Sequence, residues 1–279
     1  MNLENTVKKA SQILKNHNIH SHELDAQIIL SDIMEIKREF LITNNEINIS
    51  EKIMEKYDIA IKRRIKREPV AYIIGKKEFW SQNFRVNQST LIPRPESELL
   101  IYKLVNYFKN RRINILDIGT GSGCILLSLL KELHLSRGIG IDISSKAIKT
   151  AKLNSKKLNL FYRSKFKVVG INNFNIGRYD LIVSNPPYIA LKDMKNLSKD
   201  ILNYEPLIAL KGGFDGLDLI KKVIYKSKHL LKANGLLGIE VGTNQYLQAS
   251  KILKKSGFRE VSKEYDCNYN VRCIISTKT

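Results

Sequence analysis

From Val7 to about Ile74 the apolar positions recur every three or four residues, as in ASQILKNHNIHSHELDAQIILSDIM and ISEKIMEKYDIAIKRRIKREPVAYIIG. No alternation of strand length interrupts them. Such spacing gathers the apolar side chains on one stripe of a helix and predicts a small helical domain over residues 1–75. Residues 76–92, KKEFWSQNFRVNQSTLI, switch to short aromatic and β-branched runs around Ser81-Gln82-Asn83, the pattern of a β-hairpin linker. IPRPESELL then sets two prolines ahead of a helix whose first turn carries Glu96 and Glu98, where the helix dipole favours negative charge. From Ile113 onward short apolar runs alternate with helical stretches. INILDIG, GIGIDIS, FKVVG, YDLIVSN, GLLGIEVG, FREVSKEY and VRCIIS are the strand candidates. Alternation of this kind predicts βαβ units around a mainly parallel, doubly wound sheet over residues 93–279.

Composition changes this picture little. The chain has 279 residues, 43% hydrophobic, enough for one large core plus a small extra domain. No run of eighteen apolar residues occurs, and the opening MNLENTVKKASQILKNHNIH lacks the apolar core of a signal peptide, so a soluble cytoplasmic protein without a membrane partner is expected. Cys124, Cys267 and Cys273 fit neither a disulfide framework nor a paired-cysteine metal site, which agrees with a reducing compartment. The formal charge of +20 favours acidic partners in general. Lysine is abundant everywhere in the chain, however, so charge alone assigns no nucleic-acid role. The basic run KRRIKRE at 62–68 is expected as a solvated helix face. His17, His20 and His22 fall between two helical patterns with no cysteine nearby, and a polar loop is expected there rather than a metal site.

Candidate chemistry begins at ILDIGTGSGCILLSLL, where an apolar strand runs through Asp117, Gly119, Thr120, Gly121, Ser122 and Gly123 into an apolar helix. Glycine there lets a ligand approach the backbone closely. The dinucleotide fingerprint needs a glycine where Cys124 stands, which disfavours a nicotinamide cofactor. Asp142, at the end of the next strand in GIGIDIS, is placed to accept from both hydroxyls of a ribose, since ligands of open α/β sheets lie outside the carboxyl ends of the strands. Capping of the following helix is the competing role for Asp142, with Ser144 an equally good cap.

The strand LIVSN is stopped at once by Pro186 and Pro187, neither of which can continue a central strand. Asn185 stands just before the stop and Tyr188 just after it. An amide nitrogen is a poor nucleophile because its lone pair is delocalised into the carbonyl. Its N–H groups must be held by two acceptors, and the Asn185 side-chain oxygen and the Pro186 carbonyl are placed to serve. Tyr188 is expected to pack its ring against the incoming planar group. This combination resembles amino-methyltransferases acting on planar nitrogens, either exocyclic amines of adenine or cytosine or the side-chain amide of glutamine.

With LIPRPESEL at 91–99, NPPYI, YEPLIALKGGFDGLD and EVG downstream, and IHSHELDAQIIL and REPVAYIIGKKEFW in the first domain, nearly the whole chain resembles the bacterial release factor glutamine methyltransferases. The resemblance implies a Rossmann-like, class I S-adenosylmethionine-dependent methyltransferase fold with a seven-stranded, mainly parallel sheet and a helical substrate-binding domain. It implies S-adenosylmethionine on Gly119–Gly123, Asp142 and Asn185, and catalytic roles for Asn185, Pro186, Pro187 and Tyr188. The expected substrate is the glutamine of the Gly-Gly-Gln loop in class 1 peptide chain release factors. Alternatives kept open are an adenine N6 methyltransferase acting on DNA or RNA and a glutamine methyltransferase of a ribosomal protein. Pro95-Glu96 favours the release-factor branch over the ribosomal one. Ser97 stands where the family commonly has threonine, VVGINNFN lacks the usual acidic and aromatic pair after the third strand, and DCNYNVR keeps Asp266 and Arg272 without the family's intervening glycine. Oligomeric state is not readable, and a monomer is the expectation.

Overall fold

The computed structural model of the chain describes residues 2–44 and 46–279. Two compact units emerge, one reaching from the N-terminus to Lys76 and including Ser198–Tyr204, the other formed by Lys77–Leu197 and Glu205–Thr279.

The helical spacing of the first unit folds into α1 (Leu3–Asn16), α2 (His22–Ile33), α3 (Arg38–Thr43), α4 (Glu51–Ile65) and α5 (Val70–Ile74). Asn2 caps α1 by accepting from the Asn5 N–H at 3.0 Å. Leu3, Leu14, Ile29, Leu30, Tyr57 and Ile61 close the core of this unit. The basic run behaves differently from the expected solvated face. Only Lys62 and Lys66 are exposed. Arg63 grips Glu68 through two hydrogen bonds of 2.8 and 2.6 Å. Buried Arg64 donates at 2.7 Å to Asp25 and at 2.7 Å to Asp200, while Arg67 caps the His17 and Asn18 carbonyls. Asp200 sits in the short helix Lys199–Tyr204, which belongs to this unit although it lies over 120 residues downstream. The helical domain expected at 1–75 therefore gains a segment. Six helical residues are too few to show the periodicity that would reveal it.

The second unit runs β1 (Lys76–Phe79), β2 (Gln82–Arg85), α6 (Glu96–Phe108), β3 (Asn114–Ile118), α7 (Cys124–Glu132), β4 (Arg137–Asp142), α8 (Ser145–Lys157), β5 (Ser164–Val168), β6 (Tyr179–Ser184) and β7 (Ile189–Ala190). After the excursion through α9 (Lys199–Tyr204) it continues with β8 (Lys211–Gly213), α10 (Asp218–Leu230), β9 (Leu231–Glu240), α11 (Tyr246–Lys255), β10 (Phe258–Tyr265) and β11 (Val271–Lys278). The hairpin expected as a linker is instead part of the core. Phe79 and Phe84 meet edge to face at 6.1 Å inside the cluster that holds Leu100 and Leu127, and Asn154 of α8 bonds both backbone groups of Arg85.

All seven strand candidates join one sheet in the order β10-β11-β9-β6-β3-β4-β5. β9, β6, β3, β4 and β5 run parallel, and near one edge β11 runs antiparallel to both its neighbours, β9 and β10. Alternate side chains serve opposite faces: Ile115, Leu181, Val183 and Leu236 enter the core beneath α6 and α7, whereas Leu116, Ile182, Leu237 and Ile239 enter the core beneath α10 and α11. The chain winds outward from β3 through β4 and β5, then returns to β6 on the other side of β3. Between β3 and β6 lies the switch point where such sheets bind ligands. Registers of Ile118 with Ile141 and with Ser184 bring Gly119, Asp142 and Asn185 to a common rim.

The last hairpin turns at Asp266, whose Oδ1 accepts from the Asn268 and Asn270 N–H groups at 2.9 Å each. Tyr269, in this turn, is held at φ +60° and is 88% exposed. A side chain in the left-handed region costs about 1 kcal/mol that glycine avoids. Tyr269→Gly is expected to raise stability by somewhat under 1 kcal/mol in denaturant titration.

Candidate active site

A cavity of about 460 Å³ opens at the switch point. Gly119, Thr120, Gly121 and Ser122 form one wall, and Asp142, Ile143 and Ala147 continue it. Asn185, Pro186 and Pro187 face them, with Ser97, Arg94 and Leu91 alongside. Gly119 and Gly121 hold φ of +73° and +54°, and a Cβ on either would meet no atom within 4 Å, so their backbone borders open space. Gly123 plays another part. It is the N-cap of α7, and a Cβ there would press on Leu127, Ala151 and Phe166 at 3.1–3.4 Å, which places it in packing rather than in the cavity wall.

Asp142 holds the loop together: its Oδ2 accepts from the Gly121 N–H at 3.0 Å and its Oδ1 from the Ser144 N–H at 2.9 Å. The cap of α8 is Ser144, whose hydroxyl accepts from Ala147. Asp117 lies beneath, accepting at 2.6 Å from the Thr120 hydroxyl, while its Oδ1 is buried with no hydrogen-bond partner among the described residues. Burial, reinforced by the Asp142 charge and opposed by the Thr120 bond, pushes the Asp117 carboxyl up to about 7.

A carboxyl raised this way binds its proton more tightly in the folded chain than in the unfolded one. Its stabilising contribution is complete below about pH 4 and is lost as pH rises through about 7, a swing on the order of 4 kcal/mol. Thermal unfolding between about pH 5 and about pH 8 is expected to show this decline, and Asp117→Asn is expected to flatten it. An unchanged slope in the variant would assign the decline to another group.

Asn185 reaches the rim by the termination of β6 at the proline pair. Its Nδ2 donates to the Ser97 hydroxyl at 3.1 Å, and Ser97 donates in turn to Glu240, the fully buried last residue of β9. Tyr188 is not among the residues lining the cavity. Instead its hydroxyl donates to Glu240 Oε1 at 3.3 Å and accepts from Arg272 at 3.1 Å, and the Arg272 guanidinium lies 5.9 Å from the ring centre. The ring expected against the incoming group is thus turned to the network behind Asn185. Nearby, the KGGFDG turn presses on the Asn-Pro-Pro-Tyr segment: a Cβ on Gly212 would lie 2.8 Å from the Tyr188 carbonyl carbon.

Several wall residues carried no polar signature. Val169 and Ile171 line the cavity after β5, where no acidic or aromatic pair stands. Glu205, 4% exposed, accepts from the Ile92 N–H at 3.2 Å and from Arg94 at 2.6 Å, and so fixes the IPRP segment beside the cavity. A local signal for Glu205 exists only as the Tyr-Glu-Pro motif. The three cysteines are free. Among the described residues, no cluster of three or more His, Cys, Asp or Glu could hold a metal ion, and no helix is long and apolar enough to cross a membrane. His17 and His22 contact the Ile13 carbonyl and the Ser11 hydroxyl.

Comparison with known proteins agrees with this fold. Residues 5–75 match the PrmC N-terminal domain and residues 95–213 the methyltransferase small domain. The chain is 39% identical, over all of both chains, to the release factor glutamine methyltransferase of Buchnera aphidicola subsp. Schizaphis graminum. It is 36% identical to that of Clostridium acetobutylicum, over all of this chain and 99% of the relative. A solved methyltransferase from Pyrococcus furiosus superposes with a TM-score of 0.55 at 16% identity, covering 78% of this chain and 96% of that one, which speaks for the fold. By likeness over its full length the chain belongs to the release factor glutamine methyltransferase family and is an S-adenosylmethionine-dependent methyltransferase.

Proposed function

We propose that the chain transfers a methyl group to the side-chain nitrogen of the glutamine in the Gly-Gly-Gln loop of class 1 peptide chain release factors, in the cytoplasm. The observation that carries this reading is Asn185: its Nδ2 is committed to Ser97, and its Oδ1, unpartnered among the described residues, remains as an acceptor at the cavity rim. An acceptor suits a substrate that brings N–H groups. The full-length relatives support glutamine as the group carrying them.

The cavity fits S-adenosylmethionine on two features. Asp117, buried beneath the glycine loop with Oδ1 unpartnered among the described residues, favours a cation at that end, which the α-ammonium would provide, and the open backbone at Gly119 and Gly121 admits a ligand at close range. Asp142, whose oxygens each keep a second lone pair, would take the ribose hydroxyls, and Ile143, Val169 and Ile171 the adenine. The sulfonium supplies an activated methyl group, so the chain itself need only bind and aim. Asn185 Oδ1 and the Pro186 carbonyl, fixed in direction by the proline pair, accept the two amide N–H groups and orient the nitrogen lone pair. Proximity and orientation then carry most of the rate enhancement. The methylated nitrogen sheds one proton, for which water suffices. The helical unit is the proposed contact for the remainder of the release factor.

Methyl transfer from labelled S-adenosylmethionine to a purified class 1 release factor, to ribosomal protein and to duplex DNA, followed by peptide mass spectrometry, tests the proposal. Label on the Gly-Gly-Gln glutamine is expected. Label in DNA alone, or in ribosomal protein alone, would overturn it.

A further inference from the structure

Side-chain amides present an oxygen on one side and a nitrogen on the other, and a rotation of half a turn exchanges them. Asn185 is useful to an N–H substrate in only one of these orientations. What decides between them lies behind it. Ser184 of β6 pairs with Ile239 of β9, so the next residues, Asn185 just past the end of β6 and Glu240 at the last position of β9, stand side by side. Ser97, in the first turn of α6 and 2% exposed, stands between them.

A serine hydroxyl has one proton. That of Ser97 goes to Glu240 Oε2. Its oxygen can therefore only accept from Asn185, and only Nδ2 can serve as the donor. Were Asn185 reversed, its oxygen would face a hydroxyl oxygen with no proton to give. Glu240 is itself held by the Tyr188 hydroxyl at 3.3 Å and by the Arg272 guanidinium at 3.8 Å. Arg272 in turn is fixed by the Val241 carbonyl at 3.2 Å and by Asp266 at 3.7 Å. Nothing in binding a substrate requires a fully buried carboxylate at this place, yet the chain keeps one, with a hydroxyl, a phenol and a guanidinium arranged about it.

We propose that Glu240, acting through Ser97, is a positioning residue that sets which end of the Asn185 amide faces the cavity, and thereby makes the site select an N–H donor. The inference rests on the reading that Asn185 Oδ1 grips the substrate amide. It assigns the polarity of that grip to two residues that need not touch substrate. A proton on Glu240 would reverse the chain of donors, freeing the Ser97 hydroxyl to donate to Asn185 and admitting the unproductive orientation. The groups facing Glu240 are Arg272 and Cys273 on β11, Glu96 and Ser97 on α6, Cys124 on α7, and Tyr188 after β6. Burial raises the Glu240 carboxyl, while the Ser97 bond and Arg272 oppose the rise. Turnover should consequently fall on the acid side at a pH above the ordinary carboxylate range.

The test uses the full chain, with release factor as substrate, and measures kcat, KM and S-adenosylmethionine affinity across pH for Asn185→Ala, Ser97→Ala, Ser97→Thr and Glu240→Gln. Ser97→Ala is expected to lower kcat about tenfold or more while cofactor affinity stays within about threefold. Ser97→Thr, which keeps the hydroxyl, is expected to recover most of that loss. Glu240→Gln, which can still accept from Ser97 but does not titrate, is expected to lose the acid limb of the kcat profile. If Asn185→Ala is inactive but Ser97→Ala keeps full turnover with an unchanged pH profile, the positioning role is overturned and the amide grip stands. If Ser97→Ala loses activity only in step with folded fraction and Ser97→Thr does not rescue it, the network is merely structural and the inference fails. Normal turnover by Asn185→Ala would instead overturn the amide grip beneath it. Should Glu240→Gln not fold, the two Ser97 variants still decide.

Discussion

Asn185→Ala is expected to lower kcat on release factor by about 10²- to 10³-fold, with S-adenosylmethionine affinity held within about tenfold. The magnitude follows from what is removed: an oriented acceptor whose direction is fixed before substrate arrives, so that no reorganisation is needed at the moment of transfer. The loss should appear in kcat more than in KM, because the acceptor acts on how the nitrogen lone pair is aimed. Single-turnover kinetics with labelled cofactor separates the two. Near-normal turnover would remove Asn185 from the mechanism, and with it the account of why β6 ends in two prolines.

Arg64→Ala carries the largest expected effect on stability. Arg64 has a side chain only 7% exposed and bridges Asp25, 8% exposed, and Asp200, 23% exposed. Removing the cation leaves two acids facing each other in a poorly solvated site, and breaking a buried ion pair from one side costs about 3–5 kcal/mol. In a unit of this size that corresponds to a fall in Tm of roughly 10 °C or more. Calorimetry on the full chain should show the helical unit's transition move while that of the sheet-bearing unit stays. Adding Asp25→Asn and Asp200→Asn to Arg64→Ala is expected to return part of the loss, because the repulsion then disappears. A shift of only a degree or two in the single variant would mean that water reaches these carboxylates.

Much of the architecture was legible because it is written locally. Each of the seven strand candidates is a short apolar run bounded by turns, and all of them entered one sheet. The common rim that holds Gly119, Asp142 and Asn185 was legible for the same reason: each follows or ends a strand within a few consecutive residues. Side-chain partnerships made across long separations were not. Ser97 and Glu240 lie 143 residues apart, and Arg94 and Glu205 lie 111 apart. Nothing in either local pattern announces the other. Tyr188 shows a related limit, since the sequence placed it beside Asn185 but only the fold turned its hydroxyl toward Glu240 and Arg272. The run KRRIKRE read as solvated because its partners Asp25 and Asp200 are remote from it in sequence.

That separation also orders events during synthesis. Arg64 and Asp25 leave the ribosome early, but Asp200 follows Arg64 by 136 residues. At a synthesis rate of about 5–20 residues per second, the nascent helical unit waits several seconds or longer with its arginine matched by one acid instead of two. In that interval the guanidinium has a vacant side and the unit lacks its last helix. Its final stability is reached only when most of the catalytic unit has also been made. A chain released early, anywhere before Ser198, therefore carries a helical unit that is incomplete by construction and so a better target for proteolysis than its intact counterpart.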